Sequence, residues 1–149
     1  MNKWNKFLTE GDTKVSGIVA CLNDEQQFLI LKRSHIDDRE GQWTMPGGHI
    51  DEDDQSIEDG AIRELEEEAN LSCNISDLVF LGEPKPEKYF FMTQTWTGEV
   101  NVDKPNPESG KIEHDDWKWV TIDEIKEIDN TEIPIYLLEK ALEISKNDD

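Results

Sequence analysis

Three glutamates on one predicted helix are the side chains of this chain best placed to do chemistry. Successive helical residues are about 100° apart, so Glu64, Glu67 and Glu68 fall within an arc of about 100° and can converge on one point. Unneutralised carboxylates repel one another at that spacing. The spacing therefore predicts a cation between the three side chains, next to the glycine pair Gly47-Gly48 that precedes the helix.

The helix that carries these glutamates is predicted over residues 56–71. Apolar residues recur there at helical spacing and form one stripe, which consists of Ile57, Ala61, Ile62, Leu65 and Ala69. Glu64 and Glu68 fall at the edge of this stripe, and Glu67 lies just outside it. The carboxylates are therefore expected where the helix meets the core.

The other predicted elements are mostly short strands separated by turn signals. Extended segments are predicted over residues 14–22, 28–31, 43–45, 79–81, 89–97 and 117–120, with turns at 23–26 and Gly47-Gly48, a connection over 82–87 and an exposed loop over 101–110. A capping box at Thr121 begins a short helix, and a last helix is predicted over 133–145. This order of elements predicts an α/β sandwich with a mixed β-sheet.

Length and composition predict a single domain over residues 1–149. No apolar run approaches the roughly 18 residues that span a bilayer, and no signal-peptide core follows the N-terminus, so a cytoplasmic location without membrane contact is expected. Cys21 and Cys73 lack CxxC spacing, which favours free thiols. The net charge of −20 disfavours nucleic acid as a partner, and a phosphorylated substrate would need a divalent cation for screening.

Residues 48–71 resemble the signature box of the Nudix hydrolases, which reads Gly, five residues, Glu, seven residues, then Arg-Glu-aliphatic-X-Glu-Glu-X-Gly-aliphatic. Two positions depart from this pattern. Where the box has its first glutamate, counted back from Arg63, this chain has Gln55. The loop that follows Gly48 is one residue longer than in the box, so Asp54 takes the role of that glutamate if the loop shifts. Asn70 replaces the late glycine, and asparagine also tolerates the left-handed backbone that ends a helix.

The resemblance implies a Nudix-type α/β/α sandwich and metal-dependent attack of water on a diphosphate linkage. It also implies that Mg²⁺ or Mn²⁺ is bound by Glu64, Glu67, Glu68 and the backbone carbonyl of Gly47. Such an oxygen-only ligand set suits a hard cation, and the absence of a Cys or His cluster from the sequence argues against zinc.

Three residues are expected to assist the reaction by resemblance to the family. Arg63 is expected to orient the ligands by pairing with Glu67 or with a loop carboxylate, rather than by touching the substrate. The general base is expected to be either Glu64 or Glu113, which precedes the strand predicted at 117–120. The sequence does not decide between these two.

The substrate signals lie after the box and consist of single residues. Pro86 lies where ADP-ribose hydrolases often carry a proline, and Tyr89 lies near the tyrosine of many dinucleoside polyphosphate hydrolases. We therefore expect an ADP-ribose or nucleotide-sugar pyrophosphatase, with a dinucleoside polyphosphate or nucleoside triphosphate pyrophosphohydrolase as the alternative. A third hypothesis, supported only by Gln55, is a catalytically silent Nudix module that binds a nucleotide.

Several basic residues are candidates for contact with a nucleotide-derived small molecule. Arg33 and Lys85 are predicted to bind its phosphates, Tyr89 is predicted to stack on it, and Arg39 and Lys88 are further bases that could contact phosphate. Many family members are dimers, so a homodimer is compatible with the resemblance, although the sequence identifies no interface.

Overall fold

The computed structural model describes residues 14–35, 39–129 and 131–147, and this part of the chain forms seven strands and three α-helices. The strands are β1 (Ser16–Cys21), β2 (Phe28–Arg33), β3 (Trp43–Thr44), β4 (Gly47–His49), β5 (Val79–Lys85), β6 (Lys88–Thr93) and β7 (His114–Val120). The helices are α1 (Ile57–Ala69), α2 (Ile122–Lys126) and α3 (Ile135–Lys146), and a 3₁₀ turn spans Ile75–Asp77.

The strands are divided between two sheets. The four-stranded sheet has the order β4-β1-β6-β5, and it is mixed because β1 is parallel to β6 and antiparallel to β4. The three-stranded sheet has the order β3-β2-β7, and its pairs are antiparallel. The predicted mixed sheet is therefore confirmed, and a second, antiparallel sheet accompanies it.

The side chains of β1 alternate between two core clusters, as expected for a strand that is covered on both faces. Ile18 and Ala20 lie in a cluster that includes buried residues of α3. Val19 and Cys21 lie in a second cluster that includes buried residues of α1. The two helices therefore cover opposite faces of the mixed sheet, which confirms the predicted α/β/α sandwich.

Both ends of α1 are fixed by local hydrogen bonds. At the first end, the backbone N–H of Asp59 donates to Ser56 Oγ at 3.0 Å. At the last end, Asn70 has a φ of 65°, and its N–H donates to the carbonyl oxygen of Glu66 at 3.0 Å. Asn70 thus adopts the left-handed conformation predicted for it in place of the usual glycine. These caps fix where the glutamates of α1 emerge.

Gly47 and Gly48 do not form the predicted sharp turn but lie in the short strand β4. In the antiparallel register, Gly48 is paired with Gly17 and Gly47 with Ile18 of β1. A Cβ on Gly47 would lie only 2.6 Å from the carbonyl oxygen of Gly17. The turn prediction is therefore wrong, because the absence of a side chain at Gly47 permits close approach of two strands.

The connection predicted over residues 82–87 is also wrong for most of its length. β5 continues to Lys85, and the hairpin turn is confined to Pro86 and Glu87, which has a φ of 67°. β5 contains Pro84 and tolerates it because β5 is the edge strand of its sheet. As a result, Lys85 and Lys88 are paired across the hairpin.

The remaining predictions concern the cysteines, membrane-spanning helices and the number of domains. Cys21 and Cys73 are free thiols, as predicted. Among the described residues, no helix combines the length and the apolar character that crossing a bilayer requires. The single domain over residues 1–149 stays a prediction.

Candidate active site

A polar cleft of about 440 Å³ is lined by residues of α1, β4, the ends of β2 and β6, and the loop before β7. The charged residues that line it are the acidic Asp51, Glu64, Glu67, Glu68, Glu108 and Glu113, and the basic Arg33, Arg39 and Lys88. The same cavity is therefore lined by acidic residues from two distant parts of the chain and by three basic residues.

Arg63 connects the carboxylates of α1 to the loop before this helix. Its Nε and Nη2 donate to the two carboxylate oxygens of Asp54 at 2.9 and 3.1 Å, and Nη2 also donates to the carbonyl of His49 at 3.1 Å. Its Nη1 donates to Glu67 Oε2 at 2.9 Å and lies 3.2 Å from Glu64 Oε1. The hydrogen bond to Asp54 is the largest influence raising the pKa of Arg63. Arg63 is not among the cleft-lining residues of the described chain, so its geometry is that of a positioning residue.

Asp54, and not Gln55, contacts Arg63 in the way expected of the first box glutamate. Its side chain is only 7% exposed, and Oδ2 also accepts a hydrogen bond from the backbone N–H of Asp51 at 2.8 Å. Gly60 provides the room, since a Cβ there would lie 2.8 Å from Asp54 Oδ2. Gln55 is exposed. The longer loop therefore brings a shorter acidic side chain to Arg63.

The three glutamates of α1 line one cleft, but they do not meet as a finished ligand set. Glu67 is engaged by Arg63, and Glu68 Oε1 accepts a hydrogen bond from the backbone N–H of Gly47 at 3.0 Å. In the part of the chain that the structure describes, no three Asp, Glu, His or Cys side chains are grouped closely enough to hold a metal ion. Convergence on one point, as the helical spacing predicted, therefore requires side-chain rotation, in particular of Glu67 away from Arg63.

The electrostatics of these carboxylates favour a cation nearby. Burial raises the pKa of Glu64 to about 7, with Arg63 opposing the rise and Glu67 adding to it. Burial and then the charge of Glu64 raise the pKa of Glu68 well above its ordinary value, against the hydrogen bond from Gly47. Crowded carboxylates with little access to water are stabilised by a positive charge. The donors are all oxygen atoms, so the residues fit a hard divalent cation.

Gly48 accounts for the position of the Glu64 side chain. A Cβ on Gly48 would lie 2.6 Å from Glu64 Cδ and 2.6 Å from its Oε2. Only a glycine in β4 therefore leaves space for this carboxylate against the backbone.

Glu113 reaches the cleft from the loop before β7. Asn106, in the same loop, donates through Nδ2 to Glu113 Oε1 at 3.3 Å. Lys104 ties the loop to the end of α1, where its Nζ donates to the carbonyl of Glu66 at 2.8 Å and to Asn70 Oδ1 at 3.2 Å. These contacts hold Glu113 at the cavity lined by the α1 glutamates, although it is far from them in sequence.

The predicted substrate-binding residues are only partly brought together. Arg33 lines the cleft, whereas Lys85 and Tyr89 are not among its lining residues in the described chain. Lys85 is exposed, and the Tyr89 ring lies 6.2 Å from a phenylalanine ring of β5, measured between centroids. Arg39 and Lys88 line the cleft instead. The sequence does not separate Lys85 from Lys88, because the position of the hairpin turn is not evident from it.

The sequence matches a known family of hydrolases over most of its length. The NUDIX domain family matches residues 13–140, so the chain belongs to the Nudix hydrolase family. The RNA pyrophosphohydrolase of Bartonella tribocorum is 31% identical over an alignment that covers 77% of this chain and 79% of that protein. Membership of this family makes the protein a hydrolase that acts on phosphoric anhydrides.

Solved structures share the fold at lower sequence identity. A NUDIX hydrolase from Nitrosomonas europaea has a TM-score of 0.64 at 18% identity, covering 92% of this chain and 90% of that one. An Ap4A hydrolase from C. elegans, in a binary complex, has a TM-score of 0.60 at 22% identity, covering 89% and 98%. These similarities establish the architecture.

Proposed function

We propose that this protein is a metal-dependent pyrophosphohydrolase that cleaves a diphosphate linkage in a small molecule derived from a nucleotide. The observation that carries the proposal is the shared cleft: three glutamates from α1 and Glu113 from a distant loop line one cavity with basic side chains. Such a cavity can hold both a cation and a phosphorylated ligand. Family membership supplies the class of reaction.

Glu64, Glu67, Glu68 and the carbonyl of Gly47 would hold Mg²⁺ or Mn²⁺. A divalent cation bound there screens phosphate oxygens and lowers the pKa of an attacking water. The residues support this role through their oxygen donors and through the raised pKa values of Glu64 and Glu68.

Each remaining side chain has a role that follows from its contacts. Arg63 anchors the loop through Asp54, and its contact with Glu67 would have to break for Glu67 to bind the cation. Glu113 and Glu64 both line the cleft and are both candidates to accept a proton from the attacking water. Glu64 lies 3.2 Å from Arg63 Nη1, and Glu113 accepts a hydrogen bond from Asn106 at 3.3 Å, so both candidates are held in place by neighbouring side chains.

The substrate class is inferred from the residues that line the cleft and from the relatives of this chain. Neither substrate signal lies in the cleft. Pro86, which favoured ADP-ribose, lies in the hairpin turn, and Tyr89, which favoured dinucleoside polyphosphates, is not among the lining residues of the described chain. The relative from Bartonella tribocorum is named for pyrophosphate hydrolysis on RNA. Its name and the basic residues of the cleft favour the alternative, a substrate that carries a phosphate chain. The net charge of −20 favours a small molecule over a long polyanion.

The catalytically silent module rests on Gln55, and Asp54 provides the contact to Arg63 that Gln55 lacks. The hydrolase is therefore the better supported proposal. Cytoplasmic location and a homodimer remain expectations from the sequence and from the family.

Exchanging Glu67→Gln tests the proposal, and Glu66→Gln is the matched control because Glu66 is the exposed neighbour on the same helix. We expect Glu67→Gln to lower kcat by about two orders of magnitude, as a lost metal ligand should, and to weaken Mn²⁺ binding. Glu66→Gln should change neither property. Equal activity of both variants, with folding confirmed by circular dichroism, would contradict the proposal.

A further inference from the structure

Asn70 stands where the Nudix box has a glycine, and its side chain binds the loop before β7. The backbone of Asn70 has a φ of 65°, a conformation that glycine adopts more easily than asparagine does. In return, Nδ2 of Asn70 donates to the carbonyl of Glu99 at 3.1 Å, and Oδ1 accepts a hydrogen bond from Lys104 Nζ at 3.2 Å. A glycine at this position would make neither contact.

Two further hydrogen bonds fix the first part of this loop to the last turn of α1. Lys104 Nζ also donates to the carbonyl of Glu66 at 2.8 Å, where the partial negative charge of a helix C-terminus favours a cation. The backbone N–H of Asn101 donates to the carbonyl of Ala69 at 3.0 Å. Asn70 therefore lies at the centre of the contact between α1 and the loop.

The second part of the loop carries Glu113 into the cleft. Pro105 is the single residue between Lys104 and Asn106, and its ring fixes its φ, so the position of Asn106 follows closely from that of Lys104. The carbonyl of Asn106 accepts a hydrogen bond from the N–H of Gly110 at 2.7 Å, and its Nδ2 donates to Glu113 Oε1 at 3.3 Å. Contacts therefore run without a gap from the end of α1 to Glu113.

We propose that Asn70 is a positioning residue, which keeps Glu113 in the cleft by binding the loop before β7 to the end of α1. This inference rests on the proposed function, in which Glu113 is a candidate to accept a proton from the attacking water. Asn70 itself is not among the residues that line the described part of the cleft, so it acts through Lys104 and Asn106. Displacing a group that accepts a proton in the transition state slows the chemical step more than it weakens substrate binding.

The test is Asn70→Gly, which introduces the residue of the family box, keeps the left-handed backbone and removes both side-chain hydrogen bonds. Gln26→Gly is the matched control, because Gln26 also has a left-handed backbone, with a φ of 61°, and lies exposed in the turn between β1 and β2. Hydrogen–deuterium exchange of peptides from residues 99–113 reports on the loop without requiring activity. We expect exchange there to be about tenfold faster in Asn70→Gly and unchanged in Gln26→Gly.

Kinetics test whether the loop contact serves the reaction. With whichever of ADP-ribose, diadenosine tetraphosphate and ATP is hydrolysed fastest, Asn70→Gly should lower kcat about tenfold and change KM less than about twofold. Asn70→Asp keeps an acceptor for Lys104 and should recover most of kcat. Adding Lys104→Met to Asn70→Gly should lower kcat by less than about a further twofold beyond the larger single effect, because both changes break the same contact.

The outcomes separate this inference from the proposed function. An unchanged kcat in Asn70→Gly, a change in KM alone, or an equal loss of kcat in Gln26→Gly would overturn the positioning role and leave the hydrolase standing. Unchanged exchange of residues 99–113 in Asn70→Gly would also overturn it. Faster exchange confined to Asn70→Gly, in a protein that hydrolyses none of these compounds, would uphold the positioning of the loop and overturn the hydrolase.

Discussion

Removing the carboxylate of Asp54 should destabilise the protein strongly, whereas changing the adjacent Gln55 should not. Asp54 accepts two hydrogen bonds from Arg63 and one from the backbone of Asp51, and its side chain is 7% exposed. A hydrogen bond to a charged group contributes about 1.5–3 kcal/mol, and such contributions are not additive within one network. Arg63 is 27% exposed and keeps its contacts to Glu67 and Glu64, so water and these partners offset part of the loss.

We therefore expect Asp54→Asn to lower the free energy of unfolding by about 2–3 kcal/mol, or the Tm by about 5–10 °C for a domain of this size. Urea unfolding monitored by circular dichroism measures this change, with Gln55→Ala as the matched control. Gln55 is exposed, so its substitution should change stability by less than about 0.5 kcal/mol. Activity should also fall in Asp54→Asn, because the contact of Arg63 with the loop before α1 is then weakened.

Two outcomes would refute this reasoning. One is an Asp54→Asn variant as stable as the wild type, since the ion pair would then contribute nothing. The other is a Gln55→Ala variant that is destabilised as much as Asp54→Asn, since Gln55 would then hold the role that the box pattern gives to glutamate.

Two further predictions concern the glycines of β4 and the pH dependence of stability. Gly48→Ala should lower the free energy of unfolding by less than about 1 kcal/mol but lose most activity, because its Cβ displaces the flexible carboxyl of Glu64. Gly47→Ala should unfold at a clearly lower urea concentration, because its Cβ meets the backbone of Gly17. Urea denaturation and turnover of both variants test this contrast. Burial raises the pKa of Glu64 from 4.5 to about 7, so its contribution to stability is present below pH 4.5 and is lost as the pH rises through 7. The metal-free protein should thus be less stable at pH 8 than at pH 6 by about 1 kcal/mol, and Glu64→Gln should reduce this difference. Greater stability at pH 8 than at pH 6 would argue against the burial of this carboxyl.

The sequence predicted those features that depend on local pattern. The apolar stripe and Asn70 predicted α1 to within a few residues, because helix periodicity and helix termination are properties of residues close together in the sequence. The capping box at Thr121 is present as predicted, with both of its hydrogen bonds. The extended segment predicted over residues 14–22 is likewise present, as β1.

The features that were missed depend on contacts between distant residues. Gly47-Gly48 has the composition of a turn, and only the approach of β1 and of Glu64 shows why the pair lies in a strand. Lys85 and Lys88 are the same residue type, and the position of the hairpin turn decides which of them lines the cleft. The box pattern predicted a partner for Arg63, but the folded loop decides that the partner is Asp54.

Turnover of a panel of substrates decides whether this protein is a metal-dependent hydrolase. ADP-ribose, a nucleotide sugar, diadenosine tetraphosphate and ATP would each be incubated with the protein in the presence of Mg²⁺, of Mn²⁺ or of a chelator, and the phosphate-containing products measured. We predict metal-dependent cleavage, fastest for the compounds with the longer phosphate chains, and no cleavage with chelator. Binding of metal and nucleotide by a folded protein that cleaves none of these compounds would contradict the assignment as a hydrolase.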